Sequence, residues 1–253
     1  MPNAAPDKSA PQIRAMFGSI AGTYDLLNHL LTGWQDIRWR RAAARLSGAK
    51  PGDCVLDACC GSGDLTLSLH RQMEGRGTLI GSDFTREMLV IARRKGLKQN
   101  DSSGVSEGQQ THSSADGARS ALWVQGDTLR LPFADGQFDV CTVGWGIRNV
   151  ENLAAGLREI RRVLKTGGRA VILESTQPKG VLFPRLFRFY FSRVMPLIGN
   201  GISRTRAYSY LQASVYDFPD AETLRDIMLG CGYARVEFQR LTFGTIAIHS
   251  GQK

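Results

Sequence analysis

Residues 53–65 read DCVLDACCGSGDL. Val55 and Leu56 continue an apolar run of strand type, Asp57 ends it, and Gly61 and Gly63 allow backbone conformations closed to other residues. DLTLSLHRQME (64–74) then resumes with apolar residues at helical spacing. A strand that runs through an acid and a glycine-hinged turn into a helix is the opening of a βαβ unit. Downstream the alternation continues with strand GTLIGSD (77–83), helix TREMLVIARRKGL (85–97), strands SALWVQGD (120–127) and FDVCTVGW (138–145), helix ENLAAGLREIRRVL (151–164) and strand RAVILES (169–175). ARVEFQRL and TFGTIAIHSG close the chain with the period-2 pattern of an antiparallel hairpin. Upstream, IRAMFGSIAGTYDLLNHLL and DIRWRRAAARL predict two helices within 11–47, after a mobile Pro- and Ala-rich stretch at 1–10. Residues 99–120 are polar and rich in Gly and Ser, which predicts a surface loop inserted in one domain spanning 11–253.

The grammar is α/β: a mostly parallel sheet with helices on both faces, its ligand held outside the carboxyl ends of the strands where strand order reverses. Composition fits a folded protein, with 42% hydrophobic and 22% charged residues among 253. Nothing reaches the ~18 apolar residues of a membrane span and the first residues have no signal-peptide core, so the expected compartment is the cytoplasm. Cys54, Cys59, Cys60, Cys141 and Cys231 lack paired metal-site spacing and read as reduced core thiols, with no metal expected. A net charge of +9 favours an anionic partner, nucleic acid or an acidic lipid surface.

Two ligands suit the turn at 57–64: a nicotinamide dinucleotide or S-adenosylmethionine. A dinucleotide turn wants a third Gly or Ala three residues after Gly63, where Thr66 stands. Asp57 and Asp64 flank the turn, and two like charges ~4 Å apart cost about 4 kcal/mol at an effective dielectric of 20, which disfavours a pyrophosphate. A sulfonium and an ammonium have the sign that Asp57 would attract. Asp83, with Phe84 beside it, ends the second strand and suits the ribose hydroxyls of either ligand; Asp127 ends the third and suits an adenine amino group. Asp57, Gly61, Gly63, Asp83, Phe84 and Asp127 are therefore expected to hold the methyl donor.

VLDACCGSGDL, GSDFTREML, GDTLRLPFADGQFDV and GWGIRNV resemble, in order and spacing, the C-methyltransferases of menaquinone and ubiquinone biosynthesis, within the class I S-adenosylmethionine-dependent methyltransferases. The likeness extends to FGSIAGTYDLLN (17–28), RVLKTGG (162–168) and RAYSYLQASVYDFP (206–219). It implies a Rossmann-like, seven-stranded sheet with an antiparallel last strand, and donor contacts at Ser62, Asp83, Asp127, Thr128 and Gly144. The family often has Thr at the place of Ser62 and lacks the 99–120 loop. Cys59-Cys60 resembles the phylloquinone branch and LTFGTIAIHSGQK the bacterial menaquinone branch, so demethylmenaquinol is the favoured substrate, ahead of a benzoquinol precursor of ubiquinone or demethylphylloquinol.

Methylation of a ring carbon needs an ionised quinol. Arg148, expected at the mouth of the site, is the candidate to favour that anion, Asn149 to orient the substrate oxygen and Tyr24 to close over the donor. The plainer reading of Arg148 is an ion pair with Glu151 or a carbonyl contact. GVLFPRLFRFYFSRVMPLIG places Phe183, Phe187, Tyr190 and Val194 at helical spacing among Arg185, Arg188 and Arg193, so 180–198 is expected to line a tail pocket and touch anionic lipid, or else to be a core helix. Expected partners are a reduced prenylated quinone, an anionic membrane met peripherally and a second copy in a homodimer, without nucleic acid. An RNA methyltransferase, a donor-binding regulatory subunit and an NAD oxidoreductase are the rival readings.

Overall fold

A computed structural model describes residues 7–102, 121–178, 193 and 207–253. Three helices lead in: α1 (Ala10–Ile20), α2 (Tyr24–Thr32) and α3 (Gln35–Ser47). The single helix expected over 13–31 is therefore two. The chain breaks at Ala21–Thr23, where Gly22 is a poor helix former and the Thr23 N–H turns back to the Ile20 carbonyl at 3.0 Å. Gly33, with φ 56, ends α2 by donating its N–H to the His29 and Leu30 carbonyls.

The remaining elements are β1 (Cys54–Ala58), α4 (Asp64–Gln72), β2 (Thr78–Asp83), α5 (Arg86–Ser102), β3 (Leu122–Gln125), β4 (Phe138–Gly144), α6 (Leu153–Val163), β5 (Leu164–Ser175), α7 (Ala207–Asp217), α8 (Ala221–Gly230), β6 (Arg235–Leu241) and β7 (Ile246–Gln252). Among the described residues they form one seven-stranded sheet in the order β3-β2-β1-β4-β5-β7-β6. β1 to β5 run parallel, and β7 lies antiparallel between β5 and β6. Strand order reverses between β1 and β4, which puts the crevice at the end of β1.

Alternate residues of the strands feed two cores. Leu56, Cys141, Val143 and Ile172 pack with Leu157, Ile160 and Val163 of α6 and Leu224 and Met228 of α8. Val55, Val140, Val171, Leu173 and Ile248 pack on the other side with Trp39, Ala43 and Ala44 of α3 and Leu65 and Leu69 of α4. All five cysteines are free thiols.

α5 runs to Ser102, beyond the start of the expected loop at 99, because Gln99 is tied to α4: its Oε1 accepts from Arg71 at 3.0 Å and its Nε2 lies 3.1 Å from His70 Nδ1. The rest of that loop, and the stretch 180–198 apart from the exposed Arg193, fall outside the described residues. No helix among the described residues is long and apolar enough to cross a membrane.

Candidate active site

At the end of β1 the chain changes hand. Cys59 takes φ 51, Gly61 φ 53 and Gly63 φ 86, and α4 begins immediately after. Gly63 packs closely against the protein: a Cβ there would meet Trp123 at 2.8 Å and Ala92 at 3.0 Å. Gly61 has nothing within 4 Å of that position and its N–H is held by Asp83 Oδ2 at 2.9 Å.

Around this turn lies a first cavity lined by Gly61, Ser62, Asp83, Phe84, Asp127, Thr128, Gly144, Tyr24 and Asn149, among others. Nine of the twelve residues expected at the site are thus brought together. Asp83 is fixed, accepting also from the Thr85 N–H at 2.8 Å, and Thr128 Oγ1 lies 3.1 Å from Cys59 Sγ. Burial pushes the Cys59 thiol up to about 12, so it is no thiolate nucleophile.

Asp57 is the main correction. Its carboxyl lies inside the protein and does not line the cavity; Oδ2 accepts from Thr66 at 2.6 Å and Oδ1 from Thr142 at 2.7 Å. Burial pushes it up to about 6, against the two hydroxyls, which favour its charged form. It braces β1 against α4 and β4. The charge argument built on Asp64 also weakens. Lys95 pairs with Asp64 and, at 2.8 Å, with Asp25, while Arg40 stands 3.6 Å from Asp64. The same Asp25 accepts from Ser62 Oγ at 2.5 Å, so α2 is latched to the glycine turn.

A second cavity adjoins the first, lined by Tyr24, Asn28, Leu31, Thr32, Trp39, Arg40, Trp145, Arg148, Leu211, Val215, Thr245 and Ile246, among others. Tyr24, Arg40 and Trp145 belong to both walls. Arg40 lies over the Trp145 ring, 5.1 Å from its centroid, and is paired with the buried Asp36. Burial raises the Tyr24 phenol, with Arg148 opposing, so Tyr24 stays a neutral donor near pH 7. Arg148 sits on the 3-10 turn Ile147–Asn149 that follows β4, and it faces this second cavity, not the mouth of the first. It donates to Glu174 Oε1 at 2.6 Å and to the Trp145 carbonyl at 2.9 Å, so its ion pair is with Glu174 instead of Glu151. Asn149 accepts from Tyr210 at 3.1 Å and donates to the Trp145 carbonyl at 3.4 Å, which leaves one amide hydrogen for a ligand.

Arg40, Trp145 and Glu174 were missed from sequence. Glu174 carried a signal, an acid at the end of the apolar run RAVILES; Trp145 carried none, since only the fold turns it between the cavities.

A seven-stranded sheet of this order with a ligand-sized cavity at the β1–β4 switch defines a class I methyltransferase. Solved structures agree on the fold: a methyltransferase from Thermotoga maritima described as a possible histamine N-methyltransferase (TM-score 0.63, 16% identity, 94% of this chain and 98% of that one), and phosphoethanolamine N-methyltransferase 2 of Haemonchus contortus in complex with S-adenosyl-L-methionine (0.55, 18%, 80% and 38%). The chain belongs to the ubiE/COQ5 methyltransferase family, which it matches over residues 5–253. It is 40% identical over 242 residues to the ubiquinone/menaquinone biosynthesis C-methyltransferase UbiE of Geobacter sp. strain M21, covering 96% of both chains. It is 40% identical over 239 residues to the demethylmenaquinone methyltransferase of Thermus thermophilus (94% and 100%) and 35% over 243 to that of Staphylococcus saprophyticus (96% and 96%). It is an S-adenosylmethionine-dependent methyltransferase. The first cavity fits that donor: Gly61 leaves room for close backbone approach, Asp83 and Asp127 offer carboxylates to hydroxyl and amino groups, and Phe84 offers a ring face.

Proposed function

We propose that the protein methylates a ring carbon of a polyprenylated quinol, converting demethylmenaquinol to menaquinol. The observation that carries this reading is the shared wall: Tyr24, Arg40 and Trp145 line both cavities, so a flat ring in the second stands beside a methyl group presented from the first. Bound S-adenosylmethionine supplies an electrophilic methyl group. The protein's task is to make a ring carbon nucleophilic and aim it. Trp39, Leu211, Val215 and Ile246 give the second cavity apolar walls that exclude water from the ring. A phenolic hydroxyl ionises near pH 10 in water, and a guanidinium, which stays charged, favours its anion in a site of low dielectric. Arg148 holds that place. Asn149 and Tyr24 supply N–H and O–H donors to the substrate oxygens.

The test is to incubate the purified chain with methyl-labelled donor and a panel of reduced demethylnaphthoquinols and benzoquinols, and to identify products by mass. The expected product is methylated naphthoquinol. Arg148→Ala should lower kcat by roughly 100-fold or more, the size of losing one preorganised charge-stabilising donor, with donor affinity unchanged. Turnover undiminished in a folded Arg148→Ala protein would refute the role of Arg148, and a benzoquinol product would reassign the ring.

A further inference from the structure

Arg148 and Glu174 are both buried, 6% and 1% exposed, and they meet in an incomplete fork. A guanidinium and a carboxylate can make two parallel bonds. Here Arg148 Nη1 alone bridges to Glu174 Oε1, at 2.6 Å, and the same oxygen takes the Ser175 N–H at 2.8 Å. Among the described residues, Glu174 Oε2 and Arg148 Nε have no partner. A pair built only for stability would close both bonds, since each orphaned buried polar atom costs about 1–3 kcal/mol. Glu174 lies behind Arg148 and does not line the cavity, whereas Arg148 does. The cation is therefore held by one bond to Glu174 and one to the Trp145 carbonyl, both from Nη1.

We propose that Glu174 is a positioning residue for Arg148: it fixes the guanidinium on the cavity wall and, by opposing its charge, sets the pH at which an acidic hydroxyl bound there ionises. This rests on the reading that the second cavity receives such a hydroxyl. Among the described residues, the other ionisable groups around the pair and the cavity are Tyr24 and His29 of α2, Asp36 and Arg40 of α3 and Tyr210 of α7, His29 lying 2.8 Å from Asp36. Asp36 and Arg40 are paired with each other, and burial pushes both phenols up, Tyr210 to about 12. Both phenols therefore stay neutral between pH 6 and 9, and a shift in that window that persists in His29→Gln, which removes the imidazole paired with Asp36, reports on the Arg148–Glu174 field.

The probe is 4-chloro-1-naphthol, whose naphtholate absorbs at longer wavelength, titrated while bound to the full chain in the presence of S-adenosylhomocysteine. The parent should ionise the probe at lower pH than water does, and Arg148→Ala should abolish that difference; if it does not, the cavity reading itself fails. With the Arg148 effect established, Glu174→Gln keeps an acceptor for Arg148 but removes the opposing charge. The bound probe should then ionise about one pH unit lower still, a tenfold change in its ionisation constant, and the acid limb of kcat should move with it. Glu174→Asp, which draws the carboxylate back by one methylene, should shift the same way by less, and it serves if the Gln variant fails to fold. A glutamate needed only for folding would lower the folded fraction without moving the midpoint. A midpoint unmoved or raised in the folded variants would overturn the proposal.

Discussion

The Asp57 carboxyl, enclosed by the hydroxyls of Thr66 and Thr142, prefers to be protonated more than an exposed aspartate does. Its folded-state value, raised from an ordinary 3.8 to about 6, means that the folded state binds this proton more tightly than the unfolded chain. The stabilisation is complete below pH 3.8 and is lost as pH rises through about 6, on the order of 3 kcal/mol in all. Asp57→Asn has no such dependence. The difference in Tm between parent and variant should therefore move in the parent's favour as pH falls from 7 to 4, with other carboxylates cancelling in the comparison. Calorimetry should find donor affinity within a few-fold of the parent, because the carboxyl does not line the donor cavity; a loss of tenfold or more would restore a direct role. Asp83 and Asp127 were legible in the sequence because a strand end dictates where an acid points. Asp57 looked the same, and differs only because Thr66 and Thr142, nine and eighty-five residues away, converge on it.

Two elements meet where the β1 turn passes the segment after β4. A Cβ on Gly146 would lie 2.2 Å from Cys59 Cβ, a contact that no rotamer relieves. Gly146→Ala should thus destabilise by about 1–3 kcal/mol, the usual scale of overpacking, and weaken donor binding by displacing the turn. Cys59 is itself a non-glycine residue at φ 51. Cys59→Gly removes both the obstructing Cβ and the left-handed strain, so the double variant should recover most of the stability that Gly146→Ala loses. Urea denaturation of all four proteins measures the coupling, and additive losses would show that the two positions do not press on each other. Element types were readable from periodicity, while their ends were set by contacts that periodicity does not contain. The Gln99 contacts carry α5 past its expected stop, and β5 begins at Leu164, where an extended backbone pairs Leu164 with Phe138 before the register shifts.

At the scale of the whole molecule, alternating strands and helices were enough to anticipate the sheet, its switch point and the donor cleft. The second cavity was not visible, because α2, α3, α7 and the loop before β7 build it together and no local pattern encodes their meeting. The sheet order also bears on how the protein is made. β7 is the latest strand in sequence, yet it sits inside the sheet, and β6 reaches the other strands only through it. On the ribosome, β2 to β5 each find an earlier strand to pair with as they emerge, but β6 has none until the following dozen residues have left the exit tunnel. Nascent chains stalled so that only residues up to Leu241 are exposed should be cut by protease within β6, and chains with β7 exposed should resist. Until that strand slides into its slot, one edge of β5 is left waiting, and the sheet cannot close before β7 is in place.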